Sequence, residues 1–169
     1  MLKHLAFLWV GAVATTLTAC SESSKQGQSE LVGTWHLVSY KEYVADGTVV
    51  DVWGAHPRGR LMYDAGGRMA LQQTASEQLS FASGDLLRGT DGEVRDAFER
   101  YRAWFGSYTV DTAAGVIVHH IDGSLYPNYV GSDQRRSFIV ASDRLTTRAP
   151  SVVRGGRTST FEMVWERDK

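Results

Sequence analysis

The final stretch of the chain alternates with a period of two. Between Thr158 and Arg167, Phe161, Met163 and Trp165 fall on one side, while Thr160, Glu162 and Glu166 fall on the other. Successive side chains of a strand point to opposite faces, so this pattern describes a strand half buried against a core. Similar short runs cover Thr34 to Val44, Gly59 to Asp64, Arg68 to Thr74, Ser107 to Val110, Val116 to Gly123, Gln134 to Val140 and Leu145 to Arg148. Between them stand Asp46-Gly47, Gly66-Gly67, Asp111 to Gly115, Ser142-Asp143 and Gly155-Gly156, residues that tolerate the tight or left-handed conformations of hairpins. Short strands joined by short turns predict an all-β fold, a closed antiparallel up-and-down β-barrel. Closure removes the edges that an open sheet would expose.

One segment departs from this period. Thr90-Asp91-Gly92-Glu93 is a capping box, in which the Thr90 hydroxyl and the Glu93 carboxylate satisfy the first free amides of a helix. Beyond it Val94, Ala97, Phe98, Tyr101, Trp104 and Phe105 recur at steps of three or four, with Arg95, Asp96, Glu99, Arg100 and Arg102 on the other side. The spacing predicts one amphipathic helix inserted mid-chain, its apolar stripe covering part of the sheet or the barrel mouth.

The N-terminal residues follow a different logic. Lys3 and His4 precede an apolar run from Leu5 to Ala14, and small or weakly polar residues follow as far as Ala19. That is the layout of a secretion signal. A membrane span needs about 20 apolar residues, and Thr15, Thr16 and Thr18 interrupt this run first. Leu17-Thr18-Ala19-Cys20 resembles the lipobox of bacterial lipoproteins, which implies that residues 1–19 are removed and that Cys20 carries the lipid. Several acyl chains give a stable anchor where one gives only reversible binding. Ser21, where sorting to the inner membrane would call for Asp, implies the outer membrane with the domain facing the periplasm. From Ser21 to Ser29 there is no aromatic or β-branched residue, so residues 20–30 read as a tether and residues 31–169 as the folded domain.

Charge narrows the partners. Lys3 is the only charged residue before Cys20, which leaves 17 basic against 19 acidic residues in the remainder. Nucleic-acid binding rests on a basic surface and is therefore not expected. The lone Cys20 excludes an internal disulfide. There is no His-Glu-x-x-His, no Gly-Lys-Ser phosphate loop, no Gly-x-Ser-x-Gly elbow and no paired-cysteine spacing, so neither metal nor cofactor is expected. The expected state is a monomer.

Leu31-Val32-Gly33-Thr34-Trp35 resembles the first strand of lipocalins and fatty-acid-binding proteins, where Gly lets the chain turn and Trp plugs the barrel floor. Together with Pro57-Arg58-Gly59-Arg60-Leu61, Phe81-Ala82-Ser83-Gly84-Asp85, His119-His120 and residues 123–129, the chain resembles the bacterial and fungal lipocalin-like domain family, a calycin-type barrel, from about Leu31 to Arg167. The resemblance implies a ligand-sized barrel with Gly33 and Trp35 as structural floor residues.

Alternation selects the candidate site. Neighbours on a strand point apart, so His119 and His120 cannot hold one metal ion together. His119 shares parity with Ile117 and Ile121, and His120 with Asp122, which aims His119 inward; Val116 and Val118 pull the other way. Arg136 shares parity with Gln134, Phe138 and Val140, so it lies on an apolar face and needs an anion, from the protein or from a ligand. Tyr63 and Tyr108 follow the inward parity of Leu61 and Val110, and Asn128 and Tyr129 sit in a connector at one end of the barrel. These residues define an expected binding module for a small hydrophobic or amphipathic molecule. The alternative is an isomerase, cyclase or hydrolase with His119 as acid or base and Arg136, Asn128 or a Tyr stabilising an oxyanion. A structural role in the envelope is the third reading.

Overall fold

Period-two alternation becomes nine strands in the computed structural model, which describes residues 27–154 and 156–169. The expected signal, the expected lipidation site Cys20, most of the expected tether and Gly155 lie outside the described residues. In chain order the elements are β1 (Gly33–Val44), β2 (Val49–Asp51), β3 (Arg58–Tyr63), β4 (Arg68–Thr74), α1 (Asp91–Glu99), β5 (Tyr101–Asp111), β6 (Val116–Ser124), a 3-10 turn (Pro127–Tyr129), β7 (Asp133–Ala141), β8 (Arg144–Arg154) and β9 (Arg157–Arg167). From β3 to β9 each strand pairs antiparallel with the next.

β1 closes the sheet. Its first residues pair with β3, from Gly33 opposite Tyr63 to His36 opposite Arg60, and its other edge pairs with β9 from Trp35 opposite Arg167 to Val44 opposite Ser159. Eight strands therefore form a closed barrel, with β2 as a short addition on the end of β1. A bulge between Leu37 and Ser39 shifts the inward set from Trp35 and Leu37 to Tyr40, Glu42 and Val44.

One end is plugged. Trp35 is fully buried, its indole Nε1 donates to the Leu31 carbonyl at 2.8 Å, and the Arg167 guanidinium lies 4.0 Å from its ring centre. The same arginine donates to the carbonyls of Val32 at 2.7 Å and Glu30 at 2.6 Å. Gly33 has φ +136°, and a Cβ there would lie 2.7 Å from Arg167 Nη1, so the position admits only glycine without rearrangement. Residues 27–31, of which 27–30 were expected in the tether, form a helical turn whose Leu31 is fully buried against the plug.

The capping box forms: Glu93 N donates to Thr90 Oγ1 at 3.3 Å and Thr90 N to Glu93 Oε2 at 2.7 Å. The helix stops at Glu99, however, and the expected continuation through Phe105 is strand. Tyr101 pairs with Thr74 and Trp104 with Leu71, so the sheet satisfies backbone groups that an exposed helical turn would leave to water. None of the residues of α1 is buried, so no packing energy extends it against that pull.

Removing a buried aromatic costs about 3 to 5 kcal/mol. Trp35→Ala is therefore expected to lower the urea midpoint sharply. A near-unchanged midpoint would place the ring at the surface.

Candidate functional site

The layer of Trp35, Leu61, Ile117, Leu145 and Trp165 fills the plugged half of the barrel. The opposite half encloses a cavity of about 590 Å³ that opens beside the end of α1 and the 3-10 turn. Trp104, Tyr129, Phe161 and Met163 line it, and Phe98, Leu125, Tyr126, Val152 and Val153 form an exposed apolar rim. Such a volume suits a ligand of drug-like size.

Two guanidinium groups enter this apolar space. Arg136 on β7 is only 8% exposed, and among the described residues no carboxylate lies within 4.0 Å of it. Its Nη1 donates to the Arg135 carbonyl at 2.7 Å. Burial lowers its pKa, the phenols of Tyr129, Tyr63 and Tyr40 oppose that effect, and Arg102 adds to it. Arg102 on β5 donates to the Tyr40 hydroxyl at 2.6 Å and lies about equally close to the rings of Tyr40 and Trp53, at 5.5 and 5.4 Å. Two residues that line the cavity each hold a buried polar atom with no hydrogen-bond partner among the described residues, the donor Trp104 Nε1 and the acceptor Gln73 Oε1. Gln73 is 1% exposed and spends its amide NH₂ on Met163 Sδ at 3.1 Å.

A neutral polar layer lies close to Arg136. His119 is 2% exposed and shares a 2.7 Å hydrogen bond with the Tyr63 hydroxyl through Nε2, while its Nδ1 is buried without a partner among the described residues. Burial first, then the Arg136 charge and His120, push the His119 pKa down to about 3. Burial pushes the Tyr63 phenol well above its usual range. Tyr63 packs against Tyr108 with ring centres 4.6 Å apart and the planes tilted by 54°, and the Tyr108 hydroxyl donates to the Asp64 carbonyl at 2.9 Å.

The structure thus divides the residues selected from the sequence. Arg136 and Tyr129 line the cavity; His119, Tyr63 and Tyr108 are buried within the barrel but outside the cavity wall; Asn128 is exposed on the 3-10 turn. His120 faces outward between Asp133 at 2.7 Å and Thr109 at 3.1 Å. Among the described residues no group of three His, Cys, Asp or Glu side chains converges to hold a metal. Arg102, Trp104, Gln73 and Tyr40 went unselected. Gln73 was accessible through its parity with Met69 and Leu71, whereas the helical reading hid Arg102 and the β1 bulge hid Tyr40.

The family model of the lipocalin-like domain matches residues 32–168. The chain belongs to this family. The lipocalin-like domain is 31% identical over 91 residues to the 4'-hydroxy-3'-methoxypropiophenone carrier protein of Aspergillus oryzae, an alignment covering 49% of this chain and 81% of that one. Among solved structures it is similar to the siderocalin Ex-FABP, at 12% identity and a TM-score of 0.32, covering 82% of this chain and 71% of that one.

The buried imidazole gives the lipocalin-like domain a pH signature. An unfolded chain protonates His119 near 6.5, whereas the folded protein resists protonation until about 3. Between those limits the unfolded state binds more protons, so this group removes stability as pH falls, by about 1.4 kcal/mol per pH unit. Urea midpoints of wild type and His119→Gln are expected to run parallel above that window, with wild type falling more steeply inside it. Equal slopes would mean that the imidazole reaches solvent.

Proposed function

We propose that this lipocalin-like domain is a carrier that holds one small, mainly apolar molecule in the open half of its barrel, presented at a membrane by lipid on Cys20. The observation that carries the reading is the cavity of about 590 Å³, walled by aromatic side chains and entered through an exposed apolar rim. The similar carrier from Aspergillus oryzae is named for a phenolic aryl ketone, a molecule of this size class and polarity. His119, the group an acid–base reaction would use, stays neutral down to about pH 3 and lies outside the cavity wall, which favours holding a ligand over converting it. The lipobox-like Leu17-Thr18-Ala19-Cys20 supports anchoring at the outer membrane with the barrel in the periplasm.

Phenylnaphthylamine, a neutral dye that brightens in apolar surroundings, is expected to bind saturably at one site. Ala149 lines the cavity, so Ala149→Trp should fill it and weaken the dye by about tenfold or more without unfolding the protein. No saturable binding by wild type would refute the carrier reading. For the anchor, Cys20→Ala is expected to abolish metabolic labelling with an alkyne fatty acid, and equal labelling of both proteins would remove the lipoprotein assignment.

A further inference from the structure

Resting on the carrier reading, we infer that the natural ligand is an organic anion bearing a hydroxyl group, its negative oxygen seated on Arg102 and Arg136 and its hydroxyl on Gln73. The argument begins with charge balance. A buried cation is costly unless an anion meets it. The carboxylates that border or approach this space are otherwise placed. Asp133 is bonded to His120 at 2.7 Å, and buried Glu42 accepts from Ser159 at 2.6 Å with Arg157 at 4.0 Å. Glu99 lines the cavity but lies beyond 4.0 Å from both guanidinium groups. What surrounds Arg136 instead is three phenols and a second cation.

Two cations drawn together in an apolar pocket repel each other, and one anion relieves both. The planar fork of each arginine is suited to a carboxylate or an enolate. Trp104 and Gln73 line the same cavity, and their buried Nε1 and Oε1, unpartnered among the described residues, call for an acceptor and for a donor such as a hydroxyl. Between these polar points the walls of Trp104, Tyr129 and Phe161 accept a flat apolar body.

A matched series tests this by displacement of phenylnaphthylamine: naphthoate, neutral naphthamide and hydroxynaphthoate share one ring system. Naphthoate is expected to compete about tenfold or more better than naphthamide, as charge-assisted hydrogen bonds require. Arg136→Met and Arg102→Met should each shrink that preference while still binding the dye. Hydroxynaphthoate should outcompete naphthoate on wild type but not on Gln73→Leu. Without ligand, Arg136→Met should melt at or above the wild-type temperature, because it removes an unpaired buried charge. Dye binding with no preference for naphthoate over naphthamide overturns the anion and leaves the carrier reading standing, whereas absent dye binding removes the carrier reading itself. Equal competition by naphthoate and hydroxynaphthoate overturns the hydroxyl. A sharp loss of apo stability in Arg136→Met would show an internal counter-ion and overturn the assignment of Arg136.

Discussion

Pairing of β1 with both β3 and β9 is the constraint from which the rest of the molecule follows. Once that sheet is closed, every strand has an inside and an outside, and each side chain is committed to one of them by its parity. An eight-stranded barrel is just wide enough to be filled by side chains or to hold one small ligand. Both solutions occur here at different heights. Trp35, Trp165, Leu61, Ile117 and Leu145 fill one half and anchor the chain against the Leu31 turn. In the other half the inward positions of β5 and β7 carry long polar side chains and aromatics on the walls, and the centre stays open.

How much of this was legible follows from what each signal measures. Alternation is local, so runs such as Phe161, Met163 and Trp165 announced their strand directly, and the expected up-and-down closed barrel is the one found. β2 escaped notice because its three exposed residues have no buried face to create a pattern. The overextended helix has a different cause. Tyr101, Trp104 and Phe105 fit a helical stripe, yet Arg102, Trp104, Gly106 and Tyr108 also fit a strand with a consistent inner face. Local spacing supports both, and pairing with β4 and β6, separated along the chain, decides between them. Gly106 records that decision, since a Cβ there would drive into the His120 carbonyl of the neighbouring strand.

Parity names a face but not a depth. It aimed both His119 and Arg136 inward, and both are buried in the barrel. It carried no information on which of them meets empty space, because that depends on the side chains that neighbouring strands contribute to the same layer. His119 is opposite Tyr108 on one side and Gln134 on the other, and Tyr63 closes over it. Arg136 instead faces Tyr40, Tyr129 and Arg102, the first of which reaches the interior only because the β1 bulge resets its face.

The two polar layers also divide the work of charge. A protonated His119 would place a third cation within the field of Arg136 in a region without solvent, and both burial and that neighbour hold it neutral to about pH 3. Tyr63, raised by the same burial, keeps its proton. The pair therefore contributes hydrogen bonding without charge, and the cationic side chains that enter the cavity are arginines. Guanidinium groups do not lose their charge in the physiological range. Across that range the two arginines therefore present a constant positive charge to the cavity, beside the Glu99 and Asp133 carboxylates at its border. A histidine in the cavity wall would have added a cation that titrates, and the placement of His119 behind that wall leaves the fixed arginine charge as the positive feature of the site.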